Sequence, residues 1–347
     1  MNSLERCLKV INHEIPDRVP VIPQDAHIAA HLAGLNHLEY ARDAKKRADA
    51  VLAQRERFDF DGCIVGGDTV CLAEAVGVTI EYSEEECPRF KAGCLNDYES
   101  VADLKLPDPY KDGRMPVWIE TIERIAASIG NEYLIVARAD QGAFSLASMM
   151  RGMEEFMMDL AMAKFEEELQ GKIHSLLKFC NDAQFEFIKA LKAAGAHVVT
   201  TGDSISGPSV CAPATYEEYS WPYEKQMVEK CDALGVPYSI HICGHTDPIL
   251  EKWAQAGMHL MEIDHKTDFK TAREVTRGKT TIIGNIDTSD VMFLGTPEMI
   301  KAASKEIIDI CRPDCGLILS SGCMLSGVTP TENLQALADA GREFGQY

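Results

Sequence analysis

The sequence predicts a parallel (β/α)8 barrel, and three observations carry the prediction. Short apolar runs alternate with amphipathic stretches about eight times along the 347 residues, the pattern of a parallel sheet wrapped in helices. Most of these runs end in Gly, Asp, Asn, His or Cys, the residue types that barrels collect at the C-terminal mouth of their strands. Finally, Pro23-Gln24-Asp25 after the first run is unlike the Gly-rich phosphate loop with which a doubly wound open sheet normally begins.

The elements follow in order. Glu5 to Asn12 reads as a short amphipathic helix, and Val19-Pro20-Val21-Ile22-Pro23 as the first strand, ending at Gln24-Asp25-Ala26-His27. Helical periodicity then runs through Arg55. Asp61 to Asp68 is the second strand, and Cys71 to Val76 is helical. The stretch 77–116, with Glu84-Glu85-Glu86 and several prolines, reads as an insertion in a single domain spanning 1–347. So long an irregular segment is usually functional or poorly ordered, and a lid over a site is the sharper reading.

Val117 to Ile129 is predicted helical and feeds the third strand, Tyr133 to Asp140. The methionines between Met149 and Met162 recur at helical spacing and are read as core filler. Helix continues through Leu191, and His197 to Ser204 is the fourth strand. A helix around Tyr216 to Leu234 precedes the fifth strand, Tyr238 to His245. His259 to Asp264, Thr280 to Asp287 and Gly316 to Cys323 are the sixth, seventh and eighth.

Composition narrows the function. With 46% hydrophobic residues the chain is able to build one large core. No apolar run approaches the roughly 20 residues of a membrane span, and Met1 to Arg18 is charged rather than signal-like, so a cytoplasmic protein without a membrane partner is expected. The 12 cysteines are scattered through a large chain and are expected to be reduced. Cys311 and Cys315 read as incidental cysteines at a helix end. A formal charge of -20 argues against nucleic acid, whose phosphates need clustered Lys and Arg.

One strand end stands out. Side chains alternate along a strand, so His241 and Cys243 face the same way while Ile242 faces the other. An imidazole and a thiolate placed together suit zinc, and Cys323, at the end of the eighth strand, is the best candidate for a third ligand. A barrel would bring Asp25, Asp68, Asp140, Asp203, His241, Cys243, Asp264, Asp287 and Cys323 to one rim.

With the strand ends placed, further pieces fall into order: Asp17-Arg18-Val19-Pro20-Val21, Phe144 to Gly152, His241-Ile242-Cys243-Gly244, Gly284-Asn285-Ile286, Gly295-Thr296-Pro297-Glu298, Gly322-Cys323 and Thr329 to Leu334. On these the chain resembles the uroporphyrinogen decarboxylase superfamily, and within it the zinc-dependent methylcobamide:coenzyme M and related corrinoid methyltransferases. The decarboxylase branch carries an arginine-containing stretch after its first strand. Here Gln24 to His31 has no arginine.

The resemblance implies Zn2+ held by His241, Cys243 and Cys323. The acid at the next strand end, Asp264, is the implied fourth ligand in the absence of substrate, with Glu262 or water as alternatives. It also implies methyl transfer between a methylcobalamin-type corrinoid and a small thiol such as coenzyme M. The corrinoid would arrive on a separate protein, since no second domain remains to bind it. Asp140, Gln141, Asp203 and Asn285 are then rim candidates for holding substrate or orienting His241. The alternatives are a decarboxylase-like lyase, or a barrel that binds zinc or corrinoid without catalysis. The sequence specifies neither the direction of transfer nor the oligomeric state.

Overall fold

The computed structural model describes residues 1–312 and 314–347. Among the described residues nine strands form two sheets. β1 (Gly62–Val65) starts the central sheet, and β2 (Thr79–Glu81) and β3 (Arg89–Ala92) make a separate antiparallel ribbon inside the insertion. β4 (Leu134–Gln141), β5 (Val198–Gly202), β6 (Tyr238–Ile242), β7 (Leu260–Ile263), β8 (Thr281–Ile286) and β9 (Leu317–Ser321) follow β1 in spatial order, each parallel to its neighbour.

The first predicted strand closes this curled sheet without being a regular strand. Pro20 and Pro23 lack the N–H that a ladder needs, so the segment makes isolated contacts on both sides. Ile22 N donates to Leu319 O at 3.0 Å, Leu319 N donates to Pro20 O at 2.9 Å, and Asp61 N donates to Val21 O at 3.0 Å. It therefore stands as an eighth stave between β9 and β1, and the sheet becomes a barrel.

Helices alternate with the staves: α1 (Ser3–Ile11), α2 (Ala26–Leu32), α3 (His37–Arg42), α4 (Ala44–Phe58), α5 (Cys71–Ala75), α6 (Met115–Ile129), α7 (Ala143–Arg151), α8 (Met153–Ala163) and α9 (Glu167–Ala193). α10 (Pro213–Tyr219), α11 (Trp221–Leu234), α12 (Leu250–Ala254), α13 (Phe269–Thr276), α14 (Pro297–Cys311) and α15 (Thr331–Phe344) complete the ring. None is long and apolar enough to cross a membrane.

Two helical expectations need correction. The run to Arg55 is three helices rather than one, because Asn36 and Asp43 each accept a hydrogen bond from the backbone at the third position of the next helix and cap it. The run from Tyr216 is two helices, divided where Pro222 follows Ser220 and Trp221. The methionine expectation holds only in part: Met149 and Met150 are buried, but Met153, Met158 and Met162 are exposed.

Alternation along the staves builds the barrel interior in layers. At the N-terminal end Ile22, Ile64, Leu134, Val136, Val198, Leu260, Ile283 and Ile318 form one apolar cluster with Cys7, Val10 and Ile11 of α1. α1 thus plugs the bottom, and Thr281 Oγ1 donates to Val10 O at 2.9 Å. Two residues further along the strands the inward positions turn polar. Arg138 Nη2 donates to Glu262 Oε2 at 2.8 Å, and Thr200 Oγ1 donates to Glu262 Oε1. One further step along the staves is the open end, where the site lies.

Candidate functional site

His241, Cys243 and Cys323 converge at that end. His241 Nε2 lies 3.0 Å from Cys243 Sγ, and the two sulfurs are 3.7 Å apart. Each residue offers a ligand atom within 4.8 Å of both others. β6 and β9 position them. His241 projects inward from the fourth residue of β6, and Cys243 and Cys323 follow just beyond the ends of β6 and β9. Gly244 makes the sharp turn after Cys243 with φ +89°, and a side chain there would meet Ser209.

His241 Nδ1 lies 3.1 Å from the carbonyl oxygen of Glu262. A carbonyl only accepts, so Nδ1 carries the proton and the Nε2 lone pair is left for the sulfurs or for a metal. Backbone orientation of the second ring nitrogen is the usual partner of a ligating histidine. Two thiols and an imidazole held this way are a donor set that suits zinc.

Without a metal, these groups share protons. The Cys243 thiol is held below its ordinary value, first by its hydrogen bond from Cys323 and then by His241. Cys323 is pushed well up by the same contact, since it keeps the proton that Cys243 gives up, and burial adds to the effect. Burial disfavours a charged His241, but the adjoining Cys243 outweighs it and raises the imidazole above its ordinary value. Hydrogen bonding within the cluster thus favours the thiolate form of Cys243 over that of Cys323.

The three residues line a cavity of about 230 Å³. Gln24, Arg138 and Gln141 stand at its inner wall, and Asp68, His27 and Cys87 at the side nearer the insertion. Asp68 is neutralised there by Arg114, whose Nη1 and Nη2 lie 2.6 and 3.0 Å from its two oxygens. The Arg138 Nε and Gln24 Nε2 atoms are buried without a protein partner.

Asp68 and Gln141 line this cavity, whereas Asp264, Glu262, Asp140, Asp203 and Asn285 are kept from it, each for a local reason. Asp264 is not a member of the converging group. Its Oδ2 accepts from Gly244 N at 2.8 Å and its Oδ1 from Lys266 N at 3.0 Å, so the carboxylate is spent on bracing the turn behind Cys243. Glu262 lies a layer deeper and is taken by Arg138 and Thr200.

Asp140 is turned away by an irregularity. The register of β4 against β5 shifts between Arg138 and Gln141, and Asp140 adopts φ 64°. An extra residue in one strand reverses the alternation after it, so Gln141 faces the cavity and Asp140 accepts from Leu72 N at the start of α5. Asp203 caps α7 from the neighbouring strand, accepting from Ser145 N at 2.8 Å, a role that Gly142 at the cap position has no side chain to fill. Asn285 Nδ2 donates to Asp264 O at 3.1 Å and Thr267 O at 3.3 Å, and its side faces a separate open cleft of about 570 Å³ with His265 and Asp287. Of the four rim candidates only Gln141 lines the cavity.

Sequence reasoning missed Arg138, His27 and Cys87. Arg138 carried a usable signal, since it follows Val136 by one strand repeat and an inward charge in a buried strand demands a partner. His27 and Cys87 carried none, because only the folded chain brings them to the cavity.

Comparison with known proteins places the whole chain. A family model described as uroporphyrinogen decarboxylase (URO-D) matches residues 2–344. The methylcobamide:CoM methyltransferase MtbA of Methanosarcina acetivorans is 28% identical over 346 residues, covering 98% of this chain and 97% of its own. A uroporphyrinogen decarboxylase of Azoarcus sp. is 25% identical over 297 residues, covering 84% of this chain and 80% of its own. A solved methyltransferase from Methanosarcina mazei superposes with a TM-score of 0.88 at 24% identity, over 99% of both chains, and shows the same fold.

Proposed function

The chain belongs to the uroporphyrinogen decarboxylase family, and within it we propose a zinc-dependent methyltransferase that moves a methyl group between a corrinoid and a small thiol. The observation that carries this reading is the convergence of His241 Nε2, Cys243 Sγ and Cys323 Sγ within 4.8 Å of one another on one cavity wall. Relatives named as corrinoid:CoM methyltransferases support it.

When bound to these three donors, zinc supplies a Lewis acid that keeps a substrate thiol as its thiolate at neutral pH, where a free thiol with a pKa of about 8.5 is mostly protonated. The chain's own residues do the rest. Glu262 O fixes the His241 ring and its tautomer. Asp264 braces the Gly244 turn, so that Cys243 is held toward the cavity. In the transfer, a bond forms between the substrate sulfur and the methyl carbon while the carbon–cobalt bond of the corrinoid breaks, its electron pair leaving with cobalt. The reverse direction uses the same groups.

Cavity size supports a small thiol. About 230 Å³ is less than the roughly 300–1,000 Å³ of sites for drug-sized ligands, far too little for a tetrapyrrole. A corrinoid therefore meets the thiol from outside, carried to the barrel mouth by a separate protein, as family analogy suggests.

The test is methyl transfer from free methylcobalamin to a panel of small thiols. Cys323→Ala is expected to lose at least about 100-fold in rate, the scale on which disturbing even outer partners of a metal site acts, together with one equivalent of bound zinc. Equal rates for wild type and variant would overturn the proposal.

A further inference from the structure

The inner wall of the cavity bears on the part of the thiol substrate that lies beyond its sulfur. Gln24, Arg138 and Gln141 line that wall, each more than nine-tenths buried. Arg138 Nη2 donates to Glu262 Oε2 at 2.8 Å and to Gln24 Oε1 at 3.2 Å. Its Nη1 and the side-chain amide of Gln141 have no hydrogen-bond partner among the described residues. Both lie against Gly202 at the end of β5, where a Cβ would stand 3.2 Å from Gln141 Nε2 and 3.5 Å from Arg138 Nη1. The glycine lets the two groups share one place on the wall.

Charge decides what they hold. Arg138 is the one Lys or Arg among the lining residues, and the fully buried Glu262 balances it. Asp68, the one lining carboxylate, is balanced by Arg114, whose Nε also serves Glu74 at 2.7 Å. Arg47, fully buried behind Gly67, offsets that second acid. The two ligand sulfurs, as thiolates, cancel a divalent ion, so a bound substrate thiolate leaves no positive charge over for a second anion. The wall therefore offers hydrogen bonds without surplus charge. An ion brought to such a place gives up hydration with no counter-charge to replace it, whereas an uncharged group needs only partners for its polar atoms.

We propose that the thiol accepted here is uncharged apart from its sulfur. Its far end is a hydroxyl or carboxamide that accepts from Arg138 Nη1 and exchanges hydrogen bonds with Gln141, not a carboxylate or sulfonate. This rests on the thiol reading above and deepens it. Arg138 and Gln141 then set specificity, and Glu262 sets its sign by cancelling the charge that would otherwise favour an anion.

A matched pair of thiols tests it: 3-mercaptopropionamide and 3-mercaptopropionate, close in size and different in charge. Wild type, assayed with free methylcobalamin, is expected to favour the amide in kcat/KM by at least about tenfold. In Glu262→Gln the ratio of the two is expected to move at least about tenfold toward the carboxylate, and because a ratio is compared between proteins, the intrinsic acidities of the thiols cancel. A merely structural role for Glu262 would lower both rates together and leave the ratio in place. Cobalt-loaded wild type gives a second readout that needs no turnover, since each thiol that binds the metal strengthens the sulfur-to-cobalt absorption, and the amide is expected to do so at lower concentration. Preference of wild type for the carboxylate, or an unchanged ratio in Glu262→Gln, would overturn the inference and leave the thiol reading standing. Absence of any added band with either thiol would overturn both.

Discussion

Asp264 and Glu262 show how little a carboxylate's place in the sequence says about its work. Both end up within a strand repeat of the converging His241, Cys243 and Cys323, yet each is already committed. Asp264 serves two backbone N–H groups, and Glu262 an arginine and a threonine. A carboxylate that accepts from backbone amides gains little by leaving them for a metal. Asp264→Asn keeps one accepting oxygen for the turn, and it is therefore expected to retain the zinc proposed at His241, Cys243 and Cys323 while losing at most about tenfold in transfer rate. Loss of that ion in Asp264→Asn, measured by elemental mass spectrometry, would restore Asp264 as a ligand.

Strand alternation made His241 and Cys243 legible as a pair, because two residues on one strand need nothing but the period of two. The same rule failed at Asp140, where a shift of register beside β5 exchanged its direction with that of Gln141. No local signal marks such a shift.

Among the elements, the first stave is the one most exposed to disruption. Its prolines leave it few ladder bonds, so packing must hold it, and α15 does this from outside. Gly341 of α15 lies so close that a Cβ there would sit 2.2 Å from Val21 Cγ2. Gly341→Ala would gain about 1 kcal/mol of helix propensity, but the overlap is expected to win and cost a net of about 1–3 kcal/mol. Urea unfolding measures it, and an unchanged midpoint would mean that α15 does not press on the stave. The insertion is the opposite case. Its prolines and acids announced an excursion from the barrel, whereas the ribbon of β2 and β3 and the approach of Cys87 to two histidines arise from contacts between distant segments.

For the molecule as a whole, buried acids set the response to pH. Burial pushes Asp25 up to about 8 and Glu224 up to about 8. It also pushes Asp140 up to about 7 and Asp203 up to about 6, the latter partly offset by Ser145. In each case the folded chain holds its proton more tightly than the unfolded chain does, so these groups make stability fall as pH rises from about 4 through about 8. Glu224 accepts from Tyr216 Oη at 2.7 Å and Ser220 Oγ at 3.1 Å, and glutamine can keep an acceptor in the same place. Glu224→Gln is expected to reduce the loss of stability between pH 5 and 8 by about 1–3 kcal/mol. Denaturant melts of metal-stripped protein at the two pH values check this, and an unaltered loss would show that Glu224 ionises freely in the fold.

The sequence alone determined the eightfold alternation, the direction of the strands and the end of the barrel at which polar residues collect, because these follow from periodicity and turn chemistry that act over a few residues. It also singled out His241, Cys243 and Cys323. Only the tertiary structure decided which acids are already bonded to backbone or arginine, that Gln141 rather than Asp140 faces the cavity, and that Cys87 meets His27 and His37. Those outcomes depend on register between strands and on the approach of segments tens of residues apart, where the winning contact is chosen by competition among partners that no local pattern records.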